Sequence, residues 1–242
     1  MTVIAIFGPT GVGKTGVAVS LAELLRERGE DPVAISCDAL QVYEGLGMLT
    51  GVASAEEQEK LEHRLVGFVP VTESFNVGDY MPLAHAEIDK ALEAGRRPIV
   101  VGGTGLYLRA ALAELSLVKA PPESEDSELW SPDTRHPTAI FGLDMDRDDL
   151  YRRIDARTEA IVAAGAREEV LRAEEQGPSR TARVALGFDE LLAGDVEAMK
   201  QRSRNYARRQ LTWMRKVPNL RWIDRTGLSD AEVAAQITTH LR

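Results

Sequence analysis

The chain has 242 residues, of which 44% are hydrophobic and 28% charged, and its formal net charge at pH 7 is −9. This composition is ordinary for a globular protein and excludes the collagen-like, coiled-coil and disordered classes. The length fits one large domain. The single cysteine, Cys37, excludes an internal disulfide framework and a cysteine-built zinc site. The negative net charge argues against non-specific coating of nucleic acid. It does not exclude a local basic face on the protein.

The apolar runs of the sequence are too short to span a bilayer, so no membrane association is predicted. The chain begins with an apolar segment that we interpret as a core strand rather than a signal peptide, because no basic leader precedes it. We therefore expect a cytoplasmic protein, and we expect it to be a monomer.

Strand and helix patterns alternate along the chain, which predicts a parallel sheet covered by helices. The predicted strands are 3–7, 33–37, 99–101, 138–143 and 221–224. The predicted helices are 14–28, 79–94, 106–115, 196–216 and 229–241, with a helical hairpin over 146–176 broken near Gly165 and a shorter helical segment over 179–193. Residues 44–78 show no clear period, because glycines and a proline interrupt them.

Residues 117–137 differ in composition from everything around them. The run PPESEDSE makes this segment acidic and rich in proline and serine. A structureless stretch of about twenty residues is unusual inside a compact domain. We predict a linker or surface loop that separates two parts of one core, 1–116 and 138–242.

The sequence GPTGVGKT at residues 8–15 matches the P-loop pattern, with an apolar strand before it and an amphipathic helix after it. The glycines allow backbone N–H groups to converge on phosphate oxygens, and the helix N-terminus favours an anion. Lys14 adds a full positive charge, and the hydroxyl of Thr15 suits Mg²⁺. The candidate phosphate-binding residues are Gly8, Thr10, Gly11, Val12, Gly13, Lys14 and Thr15.

This motif completes the predicted fold class, a three-layer α/β P-loop NTPase-like parallel sheet with helices on both faces. The loop alone does not identify the phosphate compound, because a nucleoside triphosphate and a diphosphate ester both fit such a cradle. A chance match of a glycine-rich turn is the alternative, and the flanking strand and helix argue against it.

Two further strand ends carry candidate catalytic groups, since ligands of doubly wound sheets lie beyond the carboxyl ends of the strands. Asp38 follows the second strand and could act as a general base or magnesium partner. Thr104 follows the third strand after two glycines and could donate to a phosphate oxygen. A turn carboxylate and a plain helix cap are the structural alternatives. The four histidines show no ligand spacing and are interpreted as structural or surface residues, although His63 could lie near the site.

The segment AMKQRSRNYARRQLTWMRK over 198–216 contains seven basic residues and no acid, with Tyr206 and Trp213 between them. Positions 202, 205, 206, 209 and 213 share one helical face. Arginine on this face suits phosphate, because its planar fork binds two oxygens at once. The alternative is a solvated charged surface.

Six motifs occur in a familiar order: GPTGVGKT, DALQVYEGL, LEHRLVGF, RRPIVVGGTGLYLRAAL, ALGFDELLAG and YARRQLTWMRK. Together they resemble the tRNA dimethylallyltransferases, which transfer a dimethylallyl group to the exocyclic amine of an adenosine beside the tRNA anticodon. The resemblance covers residues 1–116 and about 138–218. The segments GGTGLY and YARRQLTW make it specific.

The resemblance implies that Thr10 to Thr15 hold the diphosphate of dimethylallyl diphosphate, with Mg²⁺ near Thr15. It implies that Asp38 is the base for the adenine amine and that Thr104 contacts the diphosphate side of the reacting bond, with Lys14 as a third catalytic residue. The implied tRNA-contacting residues are Asp38, Ala39, Leu40, Gln41, Thr104, Arg208 and Arg209.

Two departures from the family pattern affect tRNA recognition. Leu40 stands where the family often has an arginine. Residues 117–137 stand where the family has a longer helical insertion that ends in a basic run and grips the anticodon stem-loop. The expected protein therefore keeps the diphosphate site but lacks most of that insertion.

The expected function is dimethylallyl transfer to tRNA, with tRNA and dimethylallyl diphosphate as partners and Mg²⁺ as cofactor. Three other functions remain compatible with the sequence. These are prenyl transfer to free AMP, ADP or ATP, phosphorylation of a small molecule by a P-loop kinase, and binding of diphosphate or RNA without catalysis.

Overall fold

The structure, a computed structural model, describes residues 1–116 and 128–241. Within these ranges six strands form one parallel sheet. They are β1 (Val3–Phe7), β2 (Pro32–Ser36), β3 (His63–Arg64), β4 (Arg97–Gly102), β5 (Thr138–Asp144) and β6 (Leu220–Asp224). Their order across the sheet is β3-β2-β4-β1-β5-β6, so β1 is central.

Helices follow or connect the strands, and a single 3₁₀ turn covers Glu128–Trp130. The α-helices of the described ranges are α1 (Lys14–Glu27), α2 (Gly47–Thr50), α3 (Ala55–Lys60), α4 (Val77–Glu93), α5 (Gly105–Leu112), α6 (Arg147–Ala163), α7 (Ala166–Glu175), α8 (Arg180–Arg183), α9 (Phe188–Ala193), α10 (Val196–Met214) and α11 (Asp230–Thr239). No helix among them combines the length and apolarity needed to cross a bilayer.

The central strand β1 is buried along its whole length, and its residues alternate between two cores. Val3, Ala5 and Phe7 pack into one core, whereas Ile4 and Ile6 pack into the other. Successive side chains of a strand point to opposite faces of its sheet. A parallel strand covered on both faces is therefore apolar at every position, as β1 is.

Helices cover both faces of the sheet. On one face α1 packs against α11, and on the other α4 packs against α5. The long helix α10 packs against α6, α9 and α5. The predicted three-layer α/β fold is confirmed.

The observed elements differ from the predicted ones in three places. The helices α2 and α3 lie within residues 44–78, where no element was predicted. The edge strand β3 was not predicted, because two residues, His63 and Arg64, are too short to show a period. The single helical segment predicted over 179–193 is wrong, since α8 and α9 are separate helices. Gly187 separates them with a φ of +95°, and a Cβ there would lie 2.7 Å from Sδ of Met199.

The predicted linker falls partly outside the described residues, because 117–127 are not described. The last part of the predicted linker, from residue 128 on, is fixed to α5 by Arg109, whose side chain is fully buried. Its Nε donates to the carbonyl oxygen of Leu129 at 2.9 Å. Its Nη2 donates to the carbonyl oxygens of Ser131, at 2.8 Å, and Asp133, at 3.3 Å. One buried guanidinium thus satisfies three backbone acceptors.

Further contacts join the two sides of this segment. The backbone N–H of Arg135 donates to the carbonyl oxygen of Leu112 at 2.8 Å, and its Nε donates to Glu114 at 2.8 Å. The rings of Trp130 and Trp213 lie 4.8 Å apart, between centroids. The core is therefore closed at the point where the predicted linker leaves and returns.

The substitution Arg109→Met is expected to lower the free energy of unfolding by about 3 kcal/mol, because it removes three hydrogen bonds made by a buried guanidinium. Urea denaturation measures the change. Arg147→Met is the matched control, since the Arg147 side chain is 76% exposed. Its effect should stay within about 0.5 kcal/mol. Equal effects of the two substitutions would show that Arg109 does not anchor the segment.

Candidate active site

The P-loop, residues 8–15, follows β1 and needs glycine for two reasons. Gly11 and Gly13 have φ angles of +80° and +91°, in the region that L side chains rarely adopt. A Cβ at Gly11 would lie 2.7 Å from Cγ1 of Ile154, and one at Gly13 would collide with the guanidinium of Arg225. No side chain caps the start of α1, so its first N–H groups suit an anion.

Lys14 folds back over this loop. Its Nζ donates to the carbonyl oxygens of Gly8 and Pro9, each at 3.0 Å. Burial lowers the pKa of Lys14 to about 8, with the Asp38 carboxylate opposing the shift and the Arg157 guanidinium adding to it. The amine is thus held in place over the P-loop by backbone acceptors that a phosphate oxygen can replace.

Asp38 and Thr104 lie next to each other because β2 and β4 are neighbours in the sheet. Oδ1 of Asp38 accepts from the backbone N–H of Leu40 at 3.0 Å, so Asp38 also serves as a turn carboxylate. Thr104 occupies the N-cap position of α5, but its side chain makes no cap bond. Its Oγ1 instead accepts from the N–H of Ala39 at 3.4 Å and bonds to the hydroxyl of Tyr206.

The residues that follow Asp38 are held by local contacts. Oε1 of Gln41 accepts from Oγ of Ser36 at 2.8 Å, and its Nε2 donates to the carbonyl oxygen of Gly51 at 2.9 Å. Leu40 and Gln41 line the same cavity as Asp38, and Ala39 packs partly buried against the core. Gln41 therefore fixes the loop that carries Asp38.

A cavity of about 670 Å³ lies beyond the carboxyl ends of the strands and is bounded by the P-loop and Asp38. Apolar side chains form another part of its wall, among them Leu49, Ile161 and Met199. His63 lines it as well, and burial lowers the pKa of this imidazole. The cavity thus combines a polar, cationic side with an apolar side.

Two arginines of α6 contact the P-loop and were not among the predicted site residues. Nη1 of Arg157 donates to Oγ1 of Thr10 at 3.1 Å, and Nε of Arg153 donates to the carbonyl oxygen of Gly11 at 3.0 Å. Burial lowers the pKa of Arg157. The spacing of four residues, with the buried Ile154 between them, puts both arginines on one helical face and could have indicated them.

Two more residues outside the predicted set hold the loops in place from distant positions. Nη1 of Arg225, which is buried after β6, donates to the carbonyl oxygen of Val12 at 2.7 Å. Gln210 of α10 accepts from the N–H of Thr10 and donates to the carbonyl oxygen of Gly103, both at 2.8 Å. Local sequence holds no signal for these contacts.

The predicted basic face of α10 is only partly available to a ligand. Three of its cations form ion pairs with acids: Lys200 with Glu159 and Glu197, Arg202 with Glu190, and Arg204 with Asp155. Arg202, on the face predicted to offer arginines to phosphate, is therefore already paired with a carboxylate. Acids outside the segment 198–216, on α6, on α9 and at Glu197, pair with cations that look unopposed within it.

The second half of α10 keeps its charge on the surface. Arg208, Arg209, Arg215 and Lys216 are exposed, and neither Arg208 nor Arg209 forms an ion pair with a residue that the structure describes. The guanidinium carbon of Arg209 lies 5.4 Å from the centre of the Tyr206 ring. Both arginines lie outside the cavity lining, so they can meet only a ligand that extends beyond the cavity.

Two family models match this chain. The IPP transferase model matches residues 41–131 and 121–217. The isopentenyl transferase model matches residues 1–74, which include the P-loop. Together these matches include every element that lines the cavity except α11, which contributes Asp230.

Curated and solved relatives agree with the family models. A tRNA dimethylallyltransferase of Anoxybacillus flavithermus is 31% identical over 286 residues, covering 93% of this chain and 90% of that protein. A solved tRNA isopentenylpyrophosphate transferase from Bacillus halodurans has a TM-score of 0.85 and 28% identity over 99% of this chain and 95% of its own. The corresponding Staphylococcus epidermidis structure has a TM-score of 0.84 and 25% identity, over 99% and 98%. The resemblance found in the motifs is confirmed.

The affinity for inorganic diphosphate is expected to fall as the pH rises from about 7 to about 9.5. Lys14, with a pKa of about 8, loses its charge over this range, whereas a bound anion favours the charged amine. Above the pKa the affinity should fall by up to about tenfold per pH unit. Titration calorimetry at constant ionic strength measures it.

Lys14→Arg is the control, because a guanidinium stays charged throughout this range. The protonation of diphosphate changes with pH in the same way for both proteins. The difference between their curves of affinity against pH therefore gives the contribution of the Lys14 charge. Curves of equal steepness would contradict a charged contact between Lys14 and the diphosphate.

Proposed function

The chain belongs to the IPP transferase family, and from that premise we propose that it transfers a dimethylallyl group from dimethylallyl diphosphate to the N6 amine of the adenosine beside the anticodon of tRNA. The observation that carries the proposal is the convergence of the P-loop and Asp38 on one cavity that also has apolar side chains in its wall. Thr104 lies beside them, since its hydroxyl accepts from the N–H of Ala39 and β4 neighbours β2. A phosphate cradle, a carboxylate and an apolar pocket are what an allylic diphosphate and an amine acceptor require.

The reaction forms a bond between N6 of adenine and the allylic carbon while the bond from that carbon to the diphosphate oxygen breaks. Negative charge develops on the leaving diphosphate. The N–H groups at the start of α1, with Lys14 and Arg157, stabilise this charge. The amine loses a proton as it becomes substituted, and the carboxylate of Asp38 accepts it. The hydroxyl of Thr104 donates a hydrogen bond on the diphosphate side of the breaking bond.

Prenyl transfer in this family uses a divalent metal, and we propose Mg²⁺ for this chain. The hydroxyl of Thr15 lines the cavity and is a hard oxygen donor. Within the described residues no three His, Cys, Asp or Glu side chains are grouped as a metal site. This fits Mg²⁺, which binds through few protein ligands together with phosphate oxygens and water. When bound, it neutralises charge on the diphosphate.

We propose that residues 1–116 and 138–242 form the catalytic core and that 117–137 replace a longer insertion of the relatives. The alignment to the Anoxybacillus protein spans 286 residues and contains 93% of a chain of 242, so that relative has residues in the matched region that this chain lacks. The family model also matches in two pieces that meet at 121–131. The closed core at Leu112 and Arg135 supports the same division.

Arg208 and Arg209 are the proposed phosphate contacts of the tRNA, because they are exposed and follow the part of α10 whose cations pair with acids of α6 and α9. The adenosine leaves its stack to enter the cavity, as bases do in enzymes that modify them. The proposed location is the cytoplasm and the proposed active form is a monomer.

The shortened segment gives a second candidate function specific support. An enzyme that prenylates free AMP, ADP or ATP has no anticodon stem to hold, so it does not need the insertion. The same cavity, with Asp38 as base, would accept the adenine of a free nucleotide.

A prenyl-transfer assay tests the proposal. Labelled dimethylallyl diphosphate and magnesium are offered with unmodified tRNA, and separately with AMP and with ATP. Label on tRNA is the expected result. Label on free nucleotide alone assigns the second function, and ATP turnover without prenyl transfer indicates a kinase. Diphosphate binding without any product shows a non-catalytic protein.

The substitution Asp38→Asn is expected to lower the rate of transfer by about 10²- to 10⁴-fold, the usual effect of losing a general base. An asparagine still accepts from Leu40 N–H, so the turn is kept. Diphosphate affinity should stay the same or rise, because a negative charge leaves the cavity. Asp148→Asn, at an exposed position of α6, is the control. Loss of diphosphate binding together with activity would contradict the role of base.

Reversing two charges with Arg208→Glu and Arg209→Glu is expected to weaken tRNA binding most strongly at low salt. The slope of log affinity against log salt concentration should fall by about 1 to 2, as each phosphate contact contributes about one unit. Filter binding over a salt series measures it. The control is the double variant Arg26→Glu with Arg28→Glu, which changes the net charge by the same amount at the C-terminal end of α1. A loss of affinity that does not depend on salt would indicate misfolding instead.

A further inference from the structure

Gln210 joins two loops that are more than a hundred residues from it in the sequence. Its side chain is 4% exposed within α10. Oε1 accepts from the backbone N–H of Thr10 in the P-loop, and Nε2 donates to the carbonyl oxygen of Gly103 after β4. The two partners have opposite polarity, so only one orientation of the amide satisfies both. A side chain without both a donor and an acceptor cannot replace it.

The contact is tight because Gly103 has no side chain. A Cβ at Gly103 would collide with Nε2 of Gln210 and would lie 3.0 Å from the carbonyl oxygen of Gly8 and 3.3 Å from Nζ of Lys14. The first turn of the P-loop, the lysine and the end of β4 thus meet at one point. Gln210 contacts both loops at this point from α10.

Neighbouring residues of α10 hold the same loop. Tyr206, four residues before Gln210, bonds to Thr104, and burial raises the pKa of its hydroxyl to about 12. Trp213, three residues after Gln210, covers Gly105, where a Cβ would lie 2.7 Å from Cδ2 of the indole. Positions three and four apart share one helical face. This face of α10 therefore holds three consecutive residues of the loop after β4.

We propose that Gln210 is a positioning residue that sets the distance between the P-loop and Thr104. The inference rests on the proposed function, in which the P-loop holds the diphosphate and Thr104 acts on the breaking bond. Without Gln210, the N–H of Thr10 and the carbonyl of Gly103 lose their partners and the two loops relax independently. A displacement of about 1 Å in a reacting group can reduce a rate by about 10²-fold.

Two variants of Gln210 test this role. Gln210→Leu removes both hydrogen bonds at similar volume. Gln210→Glu keeps the acceptor for Thr10 but, when ionised, has no donor for Gly103. When the introduced carboxyl is protonated, it has a donor and an acceptor again. Burial raises the pKa of this carboxyl, and the ammonium of Lys14, which lies beside Gly103, opposes the shift.

Gln201→Leu is the matched control. Gln201 lies on the exposed side of the same helix, and its amide also makes one donor and one acceptor bond, to Asn205 and from Arg204. Rates of transfer and KM for dimethylallyl diphosphate are measured for each variant. The affinity for inorganic diphosphate is measured separately by calorimetry.

Gln210→Leu is expected to lower kcat by about 10²-fold and diphosphate affinity by about tenfold, the effect of one lost hydrogen bond. Gln201→Leu should change neither. For Gln210→Glu, rate and affinity relative to the unmodified protein should both rise as the pH falls from about 8 to about 6, because the donor returns.

A Gln210→Leu protein with unchanged rate and affinity would overturn the inference. If that variant does not fold, the pH dependence of Gln210→Glu decides, and a ratio that does not change with pH overturns the inference as well. The calorimetric measurement needs no acceptor. If the unmodified protein transfers no label to tRNA, the proposed function fails. The affinities for inorganic diphosphate then still test the positioning role of Gln210.

Discussion

The parallel pairing of β1 with β4 on one side and β5 on the other determines where every group of the cavity lies. All strands run in the same direction, so the loops that follow them gather at one edge of the sheet. The register pairs Phe7 with Gly102, which brings Gly8 beside Gly103. A shift of one residue would move the apolar side chains of β1 to the wrong layers and separate the two loops. Burial on both faces therefore protects the register on which the site depends.

Electrostatics at this edge favours an anion. The guanidinium of Arg157 and the amine of Lys14 repel each other, and burial disfavours the charge of both. Asp38 offsets part of this repulsion. A diphosphate bound between these two cations would offset their repulsion. Its oxygens would also replace the water molecules that burial keeps away from the cations. The net charge of −9 does not conflict with this local arrangement, since acids lie at other positions and some pair with cations of α10.

The parts of the site that the sequence predicts are those whose signal is local. The P-loop is a contiguous motif, and Asp38 and Thr104 directly follow apolar strands, so topology alone places them together. Gln210 and Arg225 were not predicted, because their partners are distant in sequence and nothing near them marks the contact.

Charge on a helix is equally hard to assign from sequence alone. Arg204 belongs to a segment without acids, yet its partner is Asp155 on α6. A local count of charges cannot include a partner that only the tertiary fold brings close. The same limitation applied to β3, whose two residues are stabilised as a strand by pairing with β2 rather than by any pattern of their own.

The hydrogen bond from Arg135 to Leu112, with the buried Arg109 beside it, has an evolutionary consequence. The ends of the intervening chain are brought together by the core itself. The entropy of closing a loop between fixed ends grows only by about 0.6 kcal/mol for each doubling of its length. Lineages can therefore lengthen, shorten or exchange this segment without refolding the catalytic layers.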